Sequence, residues 1–323
     1  MRIFVGGSLR DVPRDPDLCR QFVAALGTEI VRKDHILLNG CRSSLDQEIA
    51  SAAHEWLAQN AGKPRDRIIS YCLKGAKPIH SFGTVRSSAL LDWQMNHPEL
   101  EVPEQIEQAR PTIFVAGRDG TFCSKNWAFF ARKPIFGIPR FGGAGETIYN
   151  RELKYLRETS PVVAQDYETL NSLSDDMSDF AKEVVSLVER LVFPQNVFVI
   201  MSFKREFQDV FTCYEKACED FGFKADRTDK STSLERIVPR IEIGIQKSAF
   251  VIADLSELSP NVFYELGYAK ALGKDVIVTA KKGTQRPFDV SDIPTIYWEI
   301  REDLEKGLEK CLADLVDKLR GKR

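Results

Sequence analysis

Several features that settle a function quickly are missing from this chain of 323 residues. No apolar run approaches the roughly 18 residues that mark a membrane span. Basic and acidic residues nearly cancel, 45 Lys and Arg against 47 Asp and Glu, for a net charge of −2. The basic excess of a general nucleic-acid binder is therefore absent. The Cys count is seven, an odd number with no CxxC spacing, which argues against a disulfide framework and a zinc ribbon. The four His (His35, His54, His80 and His97) show no ligand spacing, so no metal is expected. There is no internal repeat and no low-complexity tract. The opening residues MRIFV read as an apolar strand, not a signal peptide. The expectation is a cytoplasmic protein in a reducing compartment, without membrane or direct nucleic-acid partners.

What remains is an ordinary globular composition, 43% apolar and 28% charged. At roughly 150 residues per domain, the length suggests two domains. Ile3–Val5, Ile36–Leu38, Ile68–Tyr71 and Thr112–Val115 read as short buried strands. They alternate with helical spacing, as in 46–58. Phe180, Val184, Leu187, Val188 and Leu191 predict an amphipathic helix that Pro194 ends. A second alternation follows: strands at Val197–Ile200, Lys224–Asp226, Ala249–Ala253 and Asp275–Thr279, helices at 206–221, 234–247, 261–272 and 302–319. Strand and helix alternation implies parallel sheets with helices on both faces. The fold class is therefore α/β, two Rossmann-like or flavodoxin-like domains at 1–152 and 195–323, joined by a helical linker at 153–194.

In the second domain, VIADLSELSPNVFYELGYAKALGK places Asp254 at a strand's carboxyl end. Open parallel sheets bind ligands at such ends. Asn261 then opens a helix and Glu265 lies one turn inside it. Gly267 and Ala269 would let that helix approach a neighbour closely. Met201, Ser202 and Phe203 follow another strand on the same edge, and Arg227 and Asp229 follow a third. A Glu in a helix is usually a solvated residue, Asp254 serves equally as a turn cap, and Arg227 equally as a surface ion-pair partner. Cys213 and Cys218 are read as core residues, and the Trp residues (Trp56, Trp93, Trp127 and Trp298) as packing residues rather than a base-stacking platform. The second domain resembles the nucleoside 2-deoxyribosyltransferase-like and TIR-like superfamily over about 195–300, on the acid-loop-helix phrase DLSELSPNVFYELGYAKALGK and the MSF turn. That resemblance implies cleavage of an N-glycosidic bond, with Glu265 as the catalytic carboxylate. It implies Asp254 and Asn261 at the base or ribose, Phe203 lining the pocket, and Ser202, Arg227 and Asp229 nearby. NAD would then be a substrate rather than a cofactor.

The first domain carries three loops suited to a phosphate. Gly6, Gly7 and Ser8 end the first strand, where glycines let backbone N–H groups approach an anion. Arg42 and Ser43 precede a helix, and helix starts favour negative charge. Gly117, Arg118, Gly120 and Thr121 form a third turn. Arg86 in GTVRSS is a further candidate, and Glu146 after GGAG would hold a ribose or cap a helix. Over about 1–150 this domain resembles the SLOG superfamily, which includes the LOG phosphoribohydrolases. In place of their PGGxGTxxE loop stands Ala116 to Ser124, with Arg118 at the second glycine and Ser124 at the catalytic Glu. The resemblance thus implies phosphate cradling without the hydrolytic carboxylate, a sensor rather than an enzyme.

Taken together the two halves are similar to prokaryotic anti-phage defence effectors, in which a nucleotide signal activates an N-glycosidase, here of NAD, through self-association into a homo-oligomer. The alternatives are a deoxyribosyltransferase or nucleotide N-glycosidase of salvage, and a non-enzymatic nucleotide-binding scaffold.

Overall fold

A computed structural model describes residues 1–319 apart from 11, 89–101, 173, 193, 228–236 and 291. The chain divides into two compact units, Met1–Val192 and Phe193–Arg323. Each is a Rossmann-like α/β unit built on one parallel sheet. Among the described residues, no helix is long and apolar enough to cross a membrane.

In chain order the first unit runs β1 (Arg2–Ser8), α1 (Pro16–Arg32), β2 (Ile36–Gly40), α2 (Ser44–Gln59), α3 (Pro64–Arg67), β3 (Ile68–Leu73), β4 (Thr84–Ser88), α4 (Glu104–Glu107), β5 (Thr112–Ala116), α5 (Asp119–Phe130), β6 (Ile135–Ile138), α6 (Gly143–Thr159), α7 (Pro161–Glu168) and α8 (Met177–Val192). The strand order is β4-β3-β2-β1-β5-β6. The inner strands are mostly apolar because helices cover both faces, with Asn39, Ser70 and Thr112 as buried polar exceptions; all five residues of β5 are buried. At the β6 edge the Tyr167 hydroxyl accepts the Gly137 N–H at 3.1 Å, so this edge amide is closed to further pairing.

One expectation changes. The helix read as a connector is α8, and it belongs to the first unit. Its buried stripe of Phe180, Val184, Leu187 and Val188 packs in one core with α1, and the Phe180 ring lies 4.6 Å from Phe22. An amphipathic stripe that strong must cover apolar surface, and α1 supplies it. The GTVRSS run forms the edge strand β4, paired with β3 so that Arg86 stands opposite Tyr71. The short strands β6 and, in the second unit, β11 had no clear pattern in the sequence.

The second unit runs β7 (Asn196–Ile200), α9 (Gln208–Asp220), β8 (Lys224–Asp226), α10 (Ile237–Lys247), β9 (Val251–Asp254), α11 (Pro260–Ala271), β10 (Val276–Lys281), β11 (Thr295–Trp298) and α12 (Arg301–Leu319). Its order is β11-β10-β9-β7-β8, all parallel. Cys213 and Cys218 are buried in its core.

Two glycines have opposite meanings. A Cβ on Gly27 in α1 would lie 2.3 Å from the Ile49 carbonyl oxygen of α2, so the two helices touch through their backbones. Gly267, expected to serve the same purpose in α11, is exposed, and no described atom lies within 4 Å of its Cβ position. Gly27→Ala is expected to lower the urea midpoint, overpacking of about 1–3 kcal/mol outweighing the helix propensity gained. Gly267→Ala should raise it through a stability gain of about 0.5–1 kcal/mol. A stabilised Gly27→Ala would contradict the close crossing of α1 and α2.

Candidate functional site

In a doubly wound sheet the chain leaves its first strand in one direction and later returns to the other side. A crevice opens at the carboxyl ends where the direction switches. In the first unit that point lies between β1 and β5. A cleft of about 530 Å³ sits there, lined by Gly6, Gly7, Ser8, Arg42, Arg118, Gly120 and Thr121, and also by Phe4, Tyr71, Gln105 and Trp127. Seven of the ten residues expected at a nucleotide site thus converge. Gly7 is required sterically, since a Cβ would lie 2.0 Å from the Val115 carbonyl oxygen. Gly117 stands behind the cleft with φ +80°, and a Cβ there would strike the Thr121 hydroxyl at 2.1 Å. The α5 ladder starts with Thr121 N–H on the Arg118 carbonyl at 2.9 Å. The amides of Asp119 and Gly120 therefore precede it, where a helix start offers donors to an anion.

The β2–α2 loop behaves differently from expectation. Its backbone donors do not face an anion. Asp46 accepts the N–H groups of Gly40 (3.1 Å), Arg42 (3.1 Å) and Ser43 (2.8 Å), and the Ser43 hydroxyl (2.8 Å). Ser43 in turn caps Asp46, a capping box readable in the Ser-x-x-Asp spacing. What this loop gives the cleft is the Arg42 side chain on a rigid base. Arg86 and Glu146 lie elsewhere. Arg86 pairs with Glu104 at 3.0 Å, and Glu146 takes two bonds from Arg14 at 2.9 and 3.0 Å. Neither lines the cleft. Ser124 does line it, its hydroxyl on the Gly120 carbonyl at 3.2 Å. The one carboxylate in the described lining is Asp46, already engaged by the loop. Trp127 is a packing residue, as expected, and also a wall of the cleft.

The second unit's switch point lies between β7 and β9. Asp254 at the end of β9 is 2% exposed. Its Oδ2 accepts from the Tyr214 hydroxyl (2.6 Å) and the Thr279 hydroxyl (2.8 Å), and its Oδ1 from the Ser256 N–H (2.9 Å). The turn-cap reading describes these bonds; they leave Asp254 holding the β9–α11 loop. Arg227 is buried, not a surface residue. It is 5% exposed, lies 4.3 Å over the Phe211 ring and donates to Gln208 at 2.6 Å. Phe203 is half exposed beside it, 5.9 Å from the guanidinium. Ser202 accepts the Lys204 N–H at 3.4 Å, and Lys204 reaches Glu257 at 2.6 Å, joining the two loops of the switch point. Asp229 lies outside the described residues. Tyr214, Thr279, Lys204 and Glu257 were not singled out from sequence, because only the fold brings them together.

Glu265 stands apart. Asn261, exposed, precedes it by four residues on the same face of α11. Glu265 is half-buried, without a hydrogen bond or ion pair among the described residues, and loss of water lifts its carboxyl from the ordinary 4.5 to about 7. Both protonation states are then populated near neutrality, as acid–base chemistry requires.

No protein-family model matches the chain, and no curated protein matches it. Solved structures similar to it include TM1055, a structural genomics target, at 18% identity and TM-score 0.37 over 46% of this chain and 80% of that one. Another is the molybdenum cofactor carrier protein MCP from Chlamydomonas reinhardtii, at 17% identity and TM-score 0.38 over 58% of this chain and 97% of that one. A third is an ABC domain in complex with L-Trp from Streptococcus pneumonia, at 7% identity and TM-score 0.22 over 98% of this chain and 84% of that one.

The raised Glu265 value has a consequence for stability that needs no substrate. Between about 4.5 and 7 the folded protein holds this proton more tightly than the unfolded chain. Stability from this group is thus complete below the unfolded value and is lost as pH rises through about 7. Glu265→Gln removes the penalty. Its gain over the parent should be near zero at pH 4.5 and grow by up to about 1.4 kcal/mol per pH unit until pH 7, less what residual solvent contact recovers. Urea midpoints across that range check it. A pH-independent difference would sink the assignment of a buried, partnerless carboxyl.

Proposed function

We propose that the first unit is a nucleotide-sensing domain and the second an N-glycosidase, with NAD as its substrate. The observation that carries the reading is Glu265, a half-buried carboxyl without a described partner, on the helix that issues from the second switch point. The first cleft supports the other half by contrast. It combines two Arg with glycine-lined strand ends, and its carboxylate is engaged by its own loop. It is suited to hold a phosphorylated ligand rather than to hydrolyse one.

In the second unit the bond from the ribose anomeric carbon to the base nitrogen breaks, and the electron pair leaves with the base. Positive charge builds on the sugar. Ionised Glu265 stabilises that charge and orients the water whose oxygen bonds to the same carbon; the proton of that water passes to the carboxylate. Nicotinamide leaves as a neutral group and needs no acid. Asn261, one turn earlier, holds the ribose in this reading. Asp254 positions the loop from within, through Tyr214 and Thr279. In this reading NAD loss follows a nucleotide signal and activation runs through self-association of the chain, as the resemblance of the sequence to sensor-effector proteins of anti-phage defence implies.

The test incubates the protein with NAD and, separately, with deoxynucleosides, with and without a panel of cyclic and linear nucleotides, and follows free base by chromatography. Nicotinamide release only with one member of the panel is expected. Glu265→Gln should reduce turnover by about 10²–10⁴-fold while nucleotide binding persists. Arg42→Ala with Arg118→Ala should abolish the response to the signal. Base release without any nucleotide would replace this reading with a constitutive salvage enzyme. Silence with the whole panel would favour a non-enzymatic binder.

A further inference from the structure

The first cleft contains a polar residue that phosphate binding does not use. Gln105 is 3% exposed, lines the cleft, and its Oε1 is buried with no hydrogen-bond partner among the described residues. Its neighbours on the same turn are engaged differently. Glu104 takes Arg86 at 3.0 Å, and Gln108 takes the Tyr71 hydroxyl at 3.2 Å. These bonds anchor α4 to β3 and β4 and leave Gln105 to the cleft. A buried amide without a partner is unfavourable to the fold, and such groups call for an explanation. Around it stand Phe4, Tyr71 and Trp127, all members of one apolar cluster. An apolar wall with a single amide is the composition that holds a flat heterocycle and fixes its polar edge.

We propose that Gln105 is the base-reading residue of this cleft. The heterocycle of the bound nucleotide lies against Phe4 and Trp127 and hydrogen-bonds the Gln105 amide, while its phosphate occupies the Gly6–Ser8 and Arg118 side. Rotation of the terminal amide presents either its oxygen or its nitrogen, so the amide pairs with an amino or an oxo edge. This rests on the phosphate-ester reading of the cleft given above. It adds that the ligand is selected through its base.

Titration calorimetry with AMP, GMP, CMP, UMP and ribose 5-phosphate separates the two. The parent protein should bind at least one nucleotide tenfold or more tightly than ribose 5-phosphate. Gln105→Leu should erase that preference, leave ribose 5-phosphate affinity unchanged, and raise the thermal midpoint because the partnerless amide is gone. A purely structural Gln105 would not give a more stable protein with a flattened base ranking. Gln105→Asn, shorter by one methylene, gives the same test should the Leu variant fail to fold. A variant that keeps the parent's base ranking overturns the assignment of Gln105 alone. A parent protein that binds none of the five overturns the phosphate-ester reading as well.

Discussion

A parallel sheet cannot turn back on itself with a tight hairpin. Each strand must return across a face before the next begins, and that constraint orders both units of this protein. In the first unit the chain winds outward from β1 through β2, β3 and β4, then crosses to β5 on the opposite side. In the second it winds from β7 to β8, then crosses to β9. Each crossing leaves adjacent strand ends whose loops depart in opposite directions. The glycine-lined cleft and the β9–α11 loop are both consequences of that geometry.

Carboxylates at such crevices are easily taken for ligand-binding groups, yet Asp46 in α2 and Asp254 at the end of β9 are bonded to their own surroundings. Asp46 gathers three backbone amides and a hydroxyl of its own loop, and Asp254 gathers Tyr214, Thr279 and the Ser256 amide. Charge-assisted bonds of this kind are strong, and removing the acid would leave several buried donors unpaired. Their role is to hold loops rigid, so that residues carried on those loops keep their positions. Arg42 depends on Asp46 in this sense, and Asn261 and Glu265 on Asp254.

Much of the fold was legible because buried parallel strands are continuous apolar runs. VFVI, FVIAD and TIFVA could hardly be anything else. Three of the four edge strands were not, since β4 has one apolar residue in five and β6 and β11 are short runs without a clear pattern; the edge strand β8 was read from its place between helices. The stripe on α8 announced a helix but not its partner, because periodicity gives a face and not what covers it. Among site residues, local motifs placed Gly6, Gly7, Ser8, Arg42, Arg118, Gly120 and Thr121 in one cleft. Arg86 and Glu146 went elsewhere, because an ion-pair partner distant in sequence claimed each. Gln105 was invisible for the converse reason: its significance lies in what it does not touch.

The residues that bear function under this reading are also those the fold treats least well. Burial withdraws water from Glu265 without supplying a described donor in return, which is why its proton affinity rises. A partner such as Lys or Arg would lower that affinity and hold the carboxylate ionised, but would also hide it from a substrate. Asp254 illustrates the other choice, fully bonded and inaccessible. A carboxyl meant only to stabilise the fold gains from partners. One meant to meet developing positive charge on a sugar gains from their absence, and the loss of stability as pH rises toward 7 follows from the same desolvation that equips it.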